Sequence, residues 1–359
     1  MPRSDATVTL RIVLGAVACL ATLADPCCAN DPRPPADAPF GVEGQPRMSR
    51  RAQRRARRRG AVPDPAAAEA EAEPKIIPMP LLALPAAAAE PALGGDLDVD
   101  QPLVHRDQPS VAGCLPSQRF DIYLPVGCGG NMPLVVWIHG KTWRDGSKDD
   151  CPITWLAREG YAVASIGYRL SSEATFPAQL DDCLATLTAL ERNATIWGID
   201  PERVCVAGAA AGGHLAALAG LWNGPPADAS LPRVAAIGLF AAPTHLTTLG
   251  PEHDRAASPA SLLVGGPLPE FREAAQRASP LAYVAAGGPP VLVVHGRRDT
   301  TVPPEQSVQF AAALKAASVD SHLMLLDAAH DLPLGRSSAA GVALLEFLDR
   351  TLGPGSRDD

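Results

Sequence analysis

Two residues that could share a proton stand just past the ends of apolar runs. Asp299 follows the run 291–294, and His330 follows the run 322–326 through Asp327-Ala328-Ala329. A carboxylate beyond one strand can hold an imidazole beyond the next in a single tautomer, and the pair can then move a proton at a reacting centre. A third stretch reads Val204-Cys205-Val206-Ala207-Gly208-Ala209-Ala210-Ala211-Gly212-Gly213-His214. Here a strand passes through small residues directly into a helix. A turn of the pattern G-x-S-x-G presents a nucleophile at its middle position and aims first-turn N–H groups, that of Ala211 foremost, at a developing oxyanion. Gly208 and Gly212 hold the glycine positions, but the middle residue is Ala210, which has no atom able to attack a carbonyl. Ala209 and Ala211 are alanine as well, so a slip of one residue recovers no serine. A small-residue turn alone is also what any close-packed strand–helix junction shows. The order turn, Asp, His makes the reading specific.

Alternating strands and helices are needed to place these residues at one edge. From about residue 115 the pattern supplies them, with strands expected at 120–124 (as an edge strand), 134–138, 161–166, 204–207, 234–240, 291–294 and 322–326. Helices are expected at 150–158, 177–193, 212–222, 304–317 and 338–352. Short continuous apolar runs such as 134–138 suit strands buried on both faces, and the alternation implies a mostly parallel sheet with helices on both sides. The segment 241–289 is longer than one crossover needs and is expected to hold a small cap over the site.

The N-terminal part is different in kind. Hydrophobic residues make up 47% of the 359 and charged residues 19%, enough for a sizeable core, yet the 37 prolines are too many for one compact domain and gather in the first hundred residues. Residues 1–29 have the form of a signal peptide, with Arg3 and Arg11 before an apolar run at 12–24 that is too short to span a bilayer of ~30 Å. Export to the periplasm, cell surface or medium is therefore expected. Residues 30–102 read as a disordered Pro/Ala-rich linker, leaving 103–354 for the folded domain. Within the linker, 47–59 hold eight arginines and no acid against a formal net charge of −8, so the remainder carries −16. Such an arm is a solvated tether or a contact for an anionic polymer or surface. Of the cysteines beyond the leader, Cys205 lies within a strand and should be buried and inert. In an oxidising compartment Cys114–Cys128 and Cys151–Cys183 are the natural pairs, although sequence does not fix connectivity. No Cys/His cluster suggests a metal, and no cofactor is expected.

The stretches Val135-Val136-Trp137-Ile138-His139-Gly140, Trp143-Arg144-Asp145-Gly146, Gly167-Tyr168-Arg169-Leu170-Ser171, Phe176-Pro177-Ala178-Gln179-Leu180 and Gly198-Ile199-Asp200-Pro201-Glu202-Arg203 together resemble the secreted feruloyl/acetyl-xylan-esterase-like α/β hydrolases, near the hormone-sensitive-lipase-like group. The resemblance covers about residues 115–352. It implies an α/β-hydrolase fold, a carboxylic-ester or carbohydrate-ester ligand, and acid and base roles for Asp299 and His330. It also exposes a second departure. The oxyanion loop of that family reads H-G-G-G-W, whereas this chain has His139-Gly140-Lys141-Thr142-Trp143. Glycines there permit positive φ and close backbone approach, and a Lys–Thr pair is expected to redirect the N–H donors or to bring a charge to the pocket mouth.

Three functions follow from these residues. The leading expectation is a pseudo-esterase that binds a ligand or partner, since losing a triad serine costs on the order of 10⁶ in kcat. The alternative is an ester hydrolase in which His330, polarised by Asp299, activates water. A third makes the arginine-rich arm the working part.

Overall fold

The computed structural model describes residues 101–222 and 233–353. The expected signal peptide, nearly all of the linker and the arginine-rich stretch lie outside the described residues. Among the described residues, no helix is long and apolar enough to cross a membrane.

The chain builds, in order, β1 (Leu103–Pro109), β2 (Arg119–Leu124), β3 (Met132–Ile138), β4 (Ala162–Ile166), α1 (Ala178–Arg192), α2 (Ala194–Trp197), β5 (Ile199–Ala209), α3 (Ala211–Leu221), β6 (Ala236–Phe240), α4 (Pro259–Val264), α5 (Arg272–Arg277), β7 (Val291–Gly296), α6 (Glu305–Ala316), β8 (Ser321–Leu326) and α7 (Ala339–Leu352). The strands form one eight-stranded sheet in the order β1-β2-β4-β3-β5-β6-β7-β8. β2 runs antiparallel to both its neighbours, and every pairing from β4 onward is parallel. This is the α/β-hydrolase fold.

The period of two along each strand divides the core between the faces. Leu134, Val136, Ile138, Val206, Ile237 and Val293 pack under α1 and α3 on one side. Val135, Trp137, Cys205, Ala207, Leu292 and Val294 pack under α7 on the other. Strands buried on both sides must be apolar at nearly every position, which is why β3, β4, β6 and β7 read as apolar runs interrupted only by Ser165 and His295.

Several expectations are corrected. β2 is not the edge. That place belongs to β1, whose sequence LVHRDQP carries no apolar period because one of its sides is open. β2 is interior, and its fully buried Asp121 is neutralised by Arg106 at 2.8 Å and Lys148 at 2.9 Å. The helix expected at 150–158 is only a 3-10 stretch, Thr154–Glu159, ended by Gly160 in the left-handed region (φ 85°). Neither cysteine pair is bridged. Cys114, Cys151 and Cys183 are free thiols. Cys183 is buried with the α1–α3 face and Cys151 packs against the α7 face, so the sheet itself separates them. The segment 241–289 contributes only Ala241 to the pocket described below. Its helices α4 and α5 instead add Ala260, Leu263, Val264 and Ala275 to the core on the α3 side.

Candidate functional site

Five strand ends meet at the carboxyl edge of the sheet, where crevices form in open parallel sheets. β5 ends at Ala209 and α3 opens at Ala211, leaving Ala210 as the hinge between them. Ala210 has φ 48° and ψ −119°, a shape that costs a residue with a side chain about 1–3 kcal/mol. Two backbone bonds hold it there. Ala210 N donates to Phe240 O at 2.8 Å, and Ala210 O accepts from His214 N at 3.0 Å. The turn also needs its glycines, since a Cβ at Gly208 would collide with the Gly212 carbonyl and one at Gly212 with Ile138 O. A sharp strand–helix turn is therefore present, and it displays the Ala210 methyl group.

The loop after β7 supplies Asp299, which is 6% exposed. Its Oδ2 lies 2.7 Å from His330 Nδ1 and 3.1 Å from His295 Nε2, while Oδ1 accepts from Thr301 N at 2.8 Å and Val302 N at 2.9 Å. Burial alone would raise this carboxyl, but the bonds from His295, His330 and Val302 N–H outweigh it and hold Asp299 well below the usual carboxylate range. His295 is fully buried and fixed in turn by Ser307 Oγ at 2.6 Å and Val302 O at 3.0 Å. His330, on the loop after β8, thus has its Nδ1 committed to a carboxylate and Nε2 left for a ligand.

The loop after β3 closes the other side. Gly140 sits against Ala209 so tightly that a Cβ there would strike Ala209 O. Lys141 takes φ 68° and Trp143 φ 60°, the left-handed shape that glycine would adopt more cheaply. Thr142, the residue expected to resist such a shape, is spared it: its φ is not positive, and its Oγ1 reaches Asp145 at 3.4 Å. Lys141 Nζ pairs with Asp150 at 3.2 Å, both side chains about half exposed. Two buried histidines underpin this loop. His139 stacks on Tyr168 with ring centres 4.2 Å apart, and His214 Nδ1 accepts from Trp143 Nε1 at 3.2 Å while Nε2 meets Ala278 O at 2.5 Å. Burial pushes both imidazoles down to about 4.

Between these walls lies a cavity of about 510 Å³ that unites Ala210 and His330 with Lys141. Trp137, Phe240, Leu332 and Leu334 are among its apolar lining, and Asp150, Cys151 and Asp331 also reach it. His139, Gly140, Thr142 and Ala211 do not line it, although Gly140 and Ala211 adjoin residues that do. Asp150, Cys151, Leu332 and Leu334 were not anticipated from sequence. The two leucines follow His330 closely enough to have been suspected, whereas nothing local marks Asp150 or Cys151. Burial pushes the Cys151 thiol up to about 12, so it is a wall residue and not a thiolate. Cys205 is completely buried and its thiol is likewise raised.

The family model described as BD-FAE matches residues 120–314, more than half of the chain. Esterase LipC of Mycobacterium tuberculosis is 30% identical over 234 residues, covering 61% of this chain and 58% of that protein. The chain spans between about half and three-fifths of the length of such curated relatives. Among solved structures, a truncated carbohydrate esterase from gut microbiota superposes with a TM-score of 0.64 at 23% identity, over 72% of this chain and 99% of that one. A bifunctional GH43-CE protein of Bacteroides eggerthii gives 0.65 at 27% identity, over 70% of this chain and 38% of that one. With the BD-FAE match running from β2 through β7 and across the turn at Ala210, the chain belongs to the BD-FAE family of α/β-hydrolase-fold, carboxylesterase-related proteins.

Proposed function

We propose that this protein is a pseudo-esterase, which keeps the ligand pocket of a carboxylic-ester hydrolase but turns esters over poorly or not at all. The observation that carries the reading is Ala210 in a nucleophile-turn geometry, on the same cavity as His330, which Asp299 orients from behind. A serine there would lose its proton to His330 and form an acyl intermediate, with N–H groups near Gly140 and Ala211 facing the oxyanion. Alanine removes the covalent step and leaves binding. The ligand class is a small carboxylic ester, a carbohydrate ester included. The names of the relatives and the carbon-lined cavity support it. The test is p-nitrophenyl acetate hydrolysis by the wild type beside Ala210→Ser. A silent wild type and an active Ala210→Ser protein support the reading, and ordinary esterase rates from the wild type overturn it.

A second reading rests on the 2.7 Å bond between Asp299 and His330. With no hydroxyl at residue 210, a water beside Ala210 could be activated by His330 Nε2 and attack an ester directly. Wild-type hydrolysis that disappears in His330→Ala would select this mechanism.

The same proposal places the protein outside the cytoplasm, on the strength of the apolar run at 12–24, and gives the arginines of 47–59 an anionic polymer or surface as partner. Fractionation of cells expressing the full chain tests the first. Retention on heparin before and after deletion of 47–59 tests the second.

A further inference from the structure

Three polar groups lie in a row across the sheet, one strand apart. Asp121 of β2 pairs with Ser165 of β4, and Ser165 pairs with Trp137 of β3. By the period of two they share the face on which Tyr123 and Val163 pack toward α7. All three grip the same turn, residues 147–150 of the loop after β3. Asp121 Oδ1 meets Lys148 Nζ at 2.9 Å, Ser165 Oγ donates to Lys148 O at 2.5 Å, and Trp137 Nε1 donates to Asp150 O at 2.9 Å. Asp121 and Ser165 are fully buried in otherwise apolar strands, where a polar group left without a partner is costly. The turn supplies those partners, and the row fixes the turn.

The two ends of the turn are tied together, since Asp150 N donates to Ser147 O at 3.0 Å and Ser147 N to Asp150 Oδ2 at 3.1 Å. At one end the Lys148 side chain is only 12% exposed and meets Asp107 at 3.0 Å and Asp149 at 3.3 Å besides Asp121. At the other end Asp150 and the two residues after it, Cys151 and Pro152, line the cavity. We infer that Lys148 is a positioning residue, which touches no ligand but, anchored on Asp121 and Ser165, sets where Asp150, Cys151 and Pro152 stand on the cavity wall. The inference rests on the pseudo-esterase reading only in taking this cavity as the ligand site. β1 shares the anchor. Its bulge turns Asp107 N onto Asp121 Oδ1 at 2.8 Å, and Arg106 holds Oδ2 at 2.8 Å. The edge strand therefore reaches the cavity through one buried carboxylate and one lysine. Removing the ammonium leaves Asp121 partly uncompensated and frees the turn, because a buried charge that loses a partner seeks water.

The experiment is alkylation of the folded full chain with N-ethylmaleimide, followed cysteine by cysteine through peptide mass spectrometry. Cys151 reports the wall, and the fully buried Cys205, on the same α7 side, reports general loosening. Lys148→Met should raise the Cys151 rate by about tenfold or more while Cys205 stays within about twofold, since local opening exposes the first and only global opening the second. Lys148→Arg keeps the charge and should stay within about threefold of the wild type at Cys151. Ser165→Ala strands no buried charge, so it decides the matter if Lys148→Met fails to fold, and it should raise the Cys151 rate by about threefold or more. Burial raises the Cys151 thiol and the Ser165 hydroxyl lowers it, so loss of that hydroxyl alone would slow alkylation and a faster rate reports movement. An unchanged Cys151 rate, a parallel rise at Cys205, or failure of Lys148→Arg to keep the wild-type rate would each overturn the inference. In an Ala210→Ser protein that turns over p-nitrophenyl acetate, Lys148→Met should raise KM by about fivefold or more with kcat within about threefold, and the reverse split would overturn it too. An inert Ala210→Ser protein would sink the pseudo-esterase reading and leave alkylation to decide the role of Lys148.

Discussion

The two sides of the pocket are held by different physics. On one side, Asp299 and His295 are buried and joined to His330, Ser307 and two backbone N–H groups by bonds between 2.6 and 3.1 Å. Removing any member strands a buried charge or donor. On the other side, the loop after β3 owes its shape to backbone conformation and to contacts beneath it. Its ion pair at the pocket, Lys141–Asp150, is about half exposed, and such surface pairs contribute about 0–1 kcal/mol. In the proposed reading the first is the acid–base side and fixes chemistry, and the second is the oxyanion side and fixes shape. On the second side Lys141 adopts φ 68°, the sign a glycine would take at lower cost.

The largest effect should come from the acid–base side. In an Ala210→Ser background that turns over p-nitrophenyl acetate, His330→Ala should cut kcat by about 10⁴-fold or more, and Asp299→Asn by about 10⁴ through the wrong imidazole tautomer. A loss below tenfold for either would mean that the repaired activity does not use this pair. On the other side, Lys141→Gly with Thr142→Gly in the same background should change kcat by no more than about tenfold, because the backbone already has the shape the glycines would permit. A gain of a hundredfold or more, set against the roughly 10²–10³ that one oxyanion donor is worth, would show that the side chains were blocking the donors.

Acid should separate the sides as well. His139 and His214 are neutral in the folded protein down to about pH 4 because burial penalises the charged ring. The unfolded chain takes up their protons from about pH 6.5 downward. Stability is thus highest above that range and falls toward pH 4, by about 1.4 kcal/mol per pH unit for each ring. Thermal melts from pH 7 to 4 should show this slope, and His214→Gln should roughly halve it. An unchanged slope would remove His214 from the account. Asp299, held low by its partners, keeps its charge throughout that window. The smallest effect belongs to Asp150→Asn, which should lower stability by less than about 1 kcal/mol in a denaturant titration. A larger loss would mean that the ion pair, rather than the packing of Trp143 on His214, sets the loop.

The sequence by itself determined the strand–helix turn with alanine at residue 210, the places of Asp299 and His330 just past strand ends, and the buried parallel strands. These are local properties: small residues at a strand–helix junction, polar residues just past apolar runs, and a period of two that saturates when both faces are covered. Only the tertiary structure decided which strand is the edge, because β1 has no apolar pattern and is recruited by pairing with β2 and by the charges around Asp121. It also decided that Cys151 and Cys183 stay apart, since the sheet passes between them. Asp150, Cys151, Leu332 and Leu334 join the pocket by the same kind of through-space convergence. Lys141 accepts its positive φ because the loop is clamped at both ends, by Gly140 against Ala209 and by Trp143 on His214. Contacts between distant segments outweigh the few kcal/mol that a local preference can impose, and no run of neighbouring residues records them.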